Sequence, residues 1–202
     1  MELEDYLSRH AGQDEVLARV ERETNALPAA GMLTRPDQAA LLTLLVRLTN
    51  ARTAIEIGTF TGYGAICIAR GLPRDGTLTI YEVSEEYAEI ARRNLEAAGQ
   101  LDKVAFRLGR AELDDLPEVD FAYVDADKDG YPAYYDAIVP KLRAGGLLAL
   151  DNMLRGGRVL DPGDDSARVT RELNDRIAAD ERVDSVLLGL RDGLTLVTPR
   201  AA

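Results

Sequence analysis

From residue 53 onward, short β-branched apolar runs take turns with amphipathic stretches. TAIEIG (53–58), TLTIYEV (77–83), KVAFRLG (103–109), VDFAYVDA (119–126) and GGLLALDN (145–152) have the length and composition of strands. YGAICIARGL (63–72), EEYAEIARRNLEAAG (85–99), a segment around YPAYYDAIVPKL and ARVTRELNDRIAAD (167–180) carry helical spacing. Ser84 caps the second of these helices, Glu85 and Glu86 favour its first turn, and Gly99 closes it. Strands this apolar are buried on both faces. The alternation therefore predicts an α/β fold, a mostly parallel sheet with helices on both faces. RVDSVLLGL and DGLTLVTP, joined by a turn from Gly189 to Gly193, predict a closing hairpin and an antiparallel last strand.

Residues 1 to about 50 read as helices. Val16, Leu17, Val20 and Leu27 set one apolar face, Pro28 and Gly31 interrupt it, and Pro36 with Asp37 opens the next helix. No repeat, low-complexity tract or second domain shows in the sequence, so the 202 residues read as a single domain with its own core.

Charge and the rare residues narrow the chemistry. A net charge of −11 argues against a nucleic-acid or anionic-membrane partner, since either needs basic patches to meet phosphate. The single cysteine, Cys67, allows no internal disulfide, and its apolar surroundings predict core packing. With one histidine, His10, expected on the surface, soft metal sites are excluded and any bound metal must be held by oxygen. The N-terminal MELEDYLSRH is acidic and lacks an apolar core, which predicts no signal peptide. No apolar stretch is long enough to span a bilayer, and the expected location is the cytoplasm. The tyrosines of YPAYY are expected to pack their helix, and the arginines of the last helix to form a solvated face.

In a doubly wound sheet, ligands bind beyond the carboxyl ends of the strands. The first strand ends in EIGTFTGYG, a GxxxGxG spacing of Gly58, Gly62 and Gly64. It is not the GxGxxG that cradles a dinucleotide pyrophosphate, which disfavours a nicotinamide-dependent dehydrogenase. Glu82, twenty residues past Gly62, ends the second strand, where a carboxylate can accept both hydroxyls of a ribose. A nucleoside without phosphates fits this pattern, and that points to S-adenosylmethionine. The glycines alone describe no more than a tight strand-to-helix turn.

Asp125 ends the fourth strand, and Asp151 with Asn152 ends the fifth. A parallel sheet brings them to the edge that also carries the glycine turn. Two carboxylates and an amide carbonyl are hard oxygen donors suited to Mg²⁺, Mn²⁺ or Ca²⁺. A cation there would explain three acids crowded into Asp125-Ala126-Asp127-Lys128-Asp129. Read alone, the same residues also describe turns and caps. Lys128 follows closely. Beside a cation and partly desolvated, a lysine's neutral form is favoured and can act as a base. The plainer reading pairs it with Asp127 or Asp129 at the surface.

EIGTFTGYGAICIA, YVDADKDGYPAYYDAIVPKLRAGGLLALDN and the following GGRV resemble the cation-dependent O-methyltransferases, which include catechol and caffeoyl-CoA O-methyltransferases and bacterial relatives. The likeness runs from about Met32 to the C-terminal DGLTLV, and the pairing of DADK with DN makes it specific. It implies a Rossmann-like methyltransferase fold with a seven-stranded sheet, S-adenosylmethionine as donor, and Mg²⁺ holding a catechol-like acceptor. It implies Asp125, Asp151 and Asn152 as metal ligands and Lys128 as the base. Glu82 would hold the ribose, and Glu56, Gly58, Phe60, Gly62 and Gly64 would shape the cofactor pocket beside Asp125. Met32 and Thr34 would close over that pocket as part of a cover formed by residues 1–50, and Ala111 would lie near the adenine. Related enzymes form dimers, so a homodimer is expected.

Some positions depart from that pattern. Gly64 stands where serine is common, Arg155 where tryptophan or another bulky residue is common, and the chain has no tryptophan. GLRDG lacks the usual proline. These departures bear on the acceptor more than on the metal or the base. The acceptor stays open among a caffeoyl ester, a flavonoid, a free catechol and an antibiotic precursor. A metal-independent methyltransferase and a non-catalytic S-adenosylmethionine-binding protein are the alternatives.

Overall fold

A computed structural model describes residues 3–200. Seven strands form one sheet: β1 (Thr53–Ile57), β2 (Thr77–Glu82), β3 (Val104–Leu108), β4 (Val119–Val124), β5 (Leu142–Leu150), β6 (Val183–Leu188) and β7 (Leu194–Pro199). Their order is β3-β2-β1-β4-β5-β7-β6. β1 to β5 run parallel, and β7 is antiparallel to both β5 and β6, so β7 alone is reversed. The helices are α1 (Leu3–Arg9), α2 (Glu15–Asn25), α3 (Pro36–Leu48), α4 (Tyr63–Gly71), α5 (Glu85–Ala97), α6 (Tyr131–Ile138) and α7 (Asp165–Ala179). None of the described helices is long and apolar enough to cross a membrane.

The two-residue period of the strands sorts their side chains between two cores. Ala54, Leu78, Ile80, Phe121, Tyr123 and Ala149 meet α2, α3 and α4 on one face. Ile55, Ile57, Ala122, Val124, Leu148 and Leu150 meet α6 and α7 on the other. Leu42, Ile55, Ile66 and Ile80 are wholly buried, each contributing about 1.5–3 kcal/mol relative to exposure. Cys67 is buried in the first of these cores. His10 is exposed, and the arginines of α7 pair at the surface with Asp165, Glu172 and Asp136.

β5 begins three residues before the run GGLLALDN suggested. Its first part pairs with β4 through a bulge, because the register shifts between Val119↔Leu142 and Phe121↔Leu147. Gly145, at φ +77°, supplies the bend. Both β4 and β5 stop one residue before their acids, leaving Asp125 and Asp151 just beyond the sheet.

β1 is the switch point. The chain runs outward through β2 and β3 on one side and starts again with β4 on the other. The crevice beyond β1 and β4 is where this architecture binds ligands. Gly58 sits in it at φ +85°, and a Cβ there would lie 2.2 Å from the carbonyl oxygen of Asp125. Only glycine allows the two loops to touch at this point.

Candidate active site

On the β1–β2 side, the turn into α4 is shaped by its backbone. Gly62, at φ +86°, is the N-cap of α4, and Phe60 holds φ +52°. The Glu82 carboxylate fixes this turn. Its Oε2 accepts from the backbone N–H of Thr59 (3.1 Å) and Phe60 (3.0 Å), and its Oε1 from that of Ser84 (2.9 Å). Phe60 stacks edge-on against Tyr87 of α5 at 4.6 Å. Glu56, inside β1, points to the α4 side, where its Oε1 would lie 2.9 Å from a Cβ on Gly64. It is 1% exposed, and its Oε2 has no hydrogen-bond partner among the described residues. Burial pushes this carboxyl up to about 8, with the charges of Asp125 and Glu82 adding to the shift.

On the β4–β5 side, two acids face each other. Val124 pairs with Leu150, so Asp125 and Asp151 leave neighbouring strands side by side, about 4.8 Å apart along the backbone. Asp151 is 4% exposed. Its Oδ2 accepts from Gln38 Nε2 (2.5 Å) and the Tyr123 hydroxyl (2.6 Å), and its Oδ1 from the backbone N–H of Asn152 (2.6 Å). Burial, then the neighbouring Asp125 charge, pushes Asp151 up to about 6 despite those three donors. A carboxylate offers about four acceptor positions, so one remains. Among the described residues, no three His, Cys, Asp or Glu side chains are grouped to hold a metal. The oxygen groups at this edge are the two carboxylates and, next along the chain, the amide of Asn152, on a backbone at φ +57°.

Lys128 lies beside this pair, and its partner is Asp125, at 3.0 Å, rather than Asp127 or Asp129. Its Nζ also donates to the Tyr131 hydroxyl (2.6 Å), which donates in turn to the carbonyl of Val124 (3.0 Å). Tyr131 thus joins the site as well as packing α6. Asp127 is compensated separately, accepting from the Tyr134 hydroxyl (2.9 Å) and lying 3.6 Å from Arg110. Within this loop Asp125 and Asp127 each meet a neighbouring donor, Lys128 and Tyr134.

One cavity of about 790 Å³ spans both sides. Met32, Thr34, Gly58, Phe60, Gly64, Glu82, Asp125, Lys128, Asp151 and Asn152 all line it. Three expected positions stand back from the lining. Glu56 lies beneath Gly64, Gly62 caps α4, and Ala111 packs against the α6–α7 core. Gln38 and Tyr123 hold Asp151, and sequence reading missed both. The available signal was a polar residue on the buried face of α3 and a tyrosine inside a central strand. The far wall is the loop after β5 clamped to the β6–β7 turn. Met153 and Leu154 donate backbone N–H to the carbonyls of Gly193 (3.0 Å) and Asp192 (2.7 Å). Arg191 ties that turn to Asp37 at the start of α3, at 2.7 Å. Among the described residues, five non-glycines have positive φ, and Phe60, Asn152, Arg155 and Arg191 of these line the cavity.

Comparison with known proteins gives one consistent answer. The O-methyltransferase family profile matches residues 7–200. A probable caffeoyl-CoA O-methyltransferase of Dictyostelium discoideum is 38% identical over 178 residues, covering 83% of this chain and 77% of that protein. The O-methyltransferase of Bacillus cereus, solved in complex with S-adenosylhomocysteine, superposes with a TM-score of 0.90 at 32% identity, covering 98% of this chain and 97% of that one. TomG of Streptomyces achromogenes, an O-methyltransferase involved in tomaymycin synthesis and solved with S-adenosylmethionine, gives 0.83 at 32% identity, covering 94% and 91%.

Proposed function

From the premise that the chain belongs to the O-methyltransferase family, as an S-adenosylmethionine-dependent enzyme of the caffeoyl-CoA type, we propose that it methylates one hydroxyl of a catechol-like acceptor with the help of a divalent cation, Mg²⁺ in the first instance. The observation that carries this reading is the Asp125–Asp151 pair. These two acids leave neighbouring strands side by side, Asp151 buried and Asp125 half-buried, and the cation beside them is Lys128, 3.0 Å from Asp125. Asp125, Asp151 and Asn152 would hold the cation, an all-oxygen set of the kind hard ions take. Glu56 supports the cofactor reading, because its Oε2 is buried with no hydrogen-bond partner among the described residues and suits an ammonium group.

When bound, S-adenosylmethionine supplies an electrophilic methyl group and the cation lowers the cost of forming a phenolate. The chain's own residues do the rest. Glu82 holds the turn at Thr59 and Phe60 in register for the nucleoside. Gln38 and Tyr123 fix the orientation of Asp151. Lys128, once it has released its own proton, accepts the acceptor's hydroxyl proton at Nζ, oriented by Tyr131. Holding two reactants in line can lower the barrier by about 7–11 kcal/mol in the best-oriented cases. A phenol with one hydroxyl lacks the second oxygen and is expected to react poorly.

The test is methyl transfer from S-adenosylmethionine to a panel of catechols, followed by mass spectrometry with Mg²⁺ and with EDTA. Product that needs the metal and disappears in Asp125→Ala is the expected result. Product that survives EDTA would leave a metal-independent methyltransferase.

A further inference from the structure

Arg155 stands apart among the charged residues of this acidic chain. It lines the cavity three residues after Asn152 and is half-buried. Its Nε is buried with no hydrogen-bond partner, and its guanidinium makes no ion pair among the described residues. Nearby acids are already engaged. Asp192 accepts from the backbone N–H of Gly156. Asp164 is held by Arg158 and by the N–H of Ala167. The Arg155 backbone is in the left-handed region, at φ +51°. That conformation is costly for a long side chain and persists only where the surroundings enforce it. Here the enforcement comes from the loop's hydrogen bonds to the β6–β7 turn. A half-buried guanidinium without an acceptor loses hydration and recovers little from the protein.

Resting on the catechol reading above, we propose that Arg155 is a specificity residue that pairs with an oxyanion carried by the methyl acceptor. The preferred acceptor is then an anionic ortho-dihydroxyarene. A carboxylate on the acceptor itself suits a guanidinium inside the cavity, because the planar fork meets it with two parallel hydrogen bonds. The same chemistry is offered by the phosphates of a coenzyme A thioester.

The experiment compares three ligands with one ring: caffeate, methyl caffeate and caffeoyl-CoA. Each is titrated calorimetrically into the protein with S-adenosylhomocysteine and Mg²⁺, and kcat/KM is measured in parallel. Wild type is expected to bind caffeate about tenfold or more tighter than methyl caffeate. In Arg155→Gln that ratio falls to within about twofold, and Arg155→Lys keeps part of it because charge survives without the fork. A separate titration of S-adenosylhomocysteine into each variant reports that it is folded. If instead the caffeoyl-CoA preference over methyl caffeate collapses in Arg155→Gln, the oxyanion is the carrier's phosphate. Ratios that Arg155→Gln leaves unchanged, or a wild type that favours the neutral ester over both anions, would overturn the proposal. If no catechol is methylated, the catechol reading fails, and the titration still decides the role of Arg155.

Discussion

Glu82 and Asp151 are both buried carboxylates just inside or beyond the carboxyl end of a strand, and each accepts three hydrogen bonds. Every donor to Glu82 is a backbone N–H from the turn it serves or from its own next turn. Asp151 takes one backbone N–H, and two side chains, Gln38 and Tyr123, supply the rest. It also faces a second acid. On the proposed function, the half that takes the cofactor is a local unit, β1–α4–β2, whose order is written into one continuous stretch of chain. The acceptor half is collected from α3, β4, β5 and the β6–β7 turn. The first half holds Glu82, satisfied by backbone N–H groups, with Glu56 buried beneath Gly64. The second holds Asp125 and Asp151 side by side, with Lys128 paired to the first.

Substitutions can break this division or sharpen it. The largest effect is expected in the acceptor half. Lys128→Met should lower kcat by about 10²–10⁴, while affinity for S-adenosylhomocysteine, followed by calorimetry, changes by less than about tenfold. Comparable losses in both would mean that the halves are not separate. Next comes the seam between them. Gly58→Ala places a Cβ 2.2 Å from the Asp125 carbonyl at φ +85°, a cost of about 3 kcal/mol or more from strain and overlap. For a chain of this size that lowers the melting temperature by roughly 6–12 °C, and an unchanged melting curve would show that the loops part freely. The smallest effect belongs to the cofactor half. Glu82→Gln should weaken S-adenosylhomocysteine about tenfold, with the acceptor KM within about twofold. A larger shift in the acceptor KM than in cofactor affinity would reverse the assignment.

The same division explains what could be read in the sequence. Periodicity located all seven strands and the hairpin, although β3 and β6, at the two edges of the sheet, are mostly exposed rather than buried on both faces. Gly58, Glu82, Asp125 and Asp151 were legible because strand ends in a parallel sheet share an edge. Gln38 and Tyr123 were not. Their partner, Asp151, lies 113 and 28 residues away, and no local pattern records such a pairing. The partner of Lys128 was misplaced for a related reason. Asp125, Asp127 and Asp129 are equivalent in the sequence, and only the three-residue turn after β4 selects Asp125. Ala111 was placed by resemblance alone, and no pattern in its own stretch of chain marks it; it packs, partly buried, against the α6–α7 core.

The bond from Arg191 to Asp37 joins residues 154 positions apart. During synthesis, every residue of the cofactor half has left the ribosome well before Arg191 exists. The loop after β5 has no turn to clamp onto until then, and α3 lacks its tie to the far wall. Contacts of such long sequence separation form late, because the intervening chain must first be closed into a loop. The nascent chain therefore acquires the β1–α4–β2 side of the cavity early, and the far wall is added last, when the final hairpin pairs with β5.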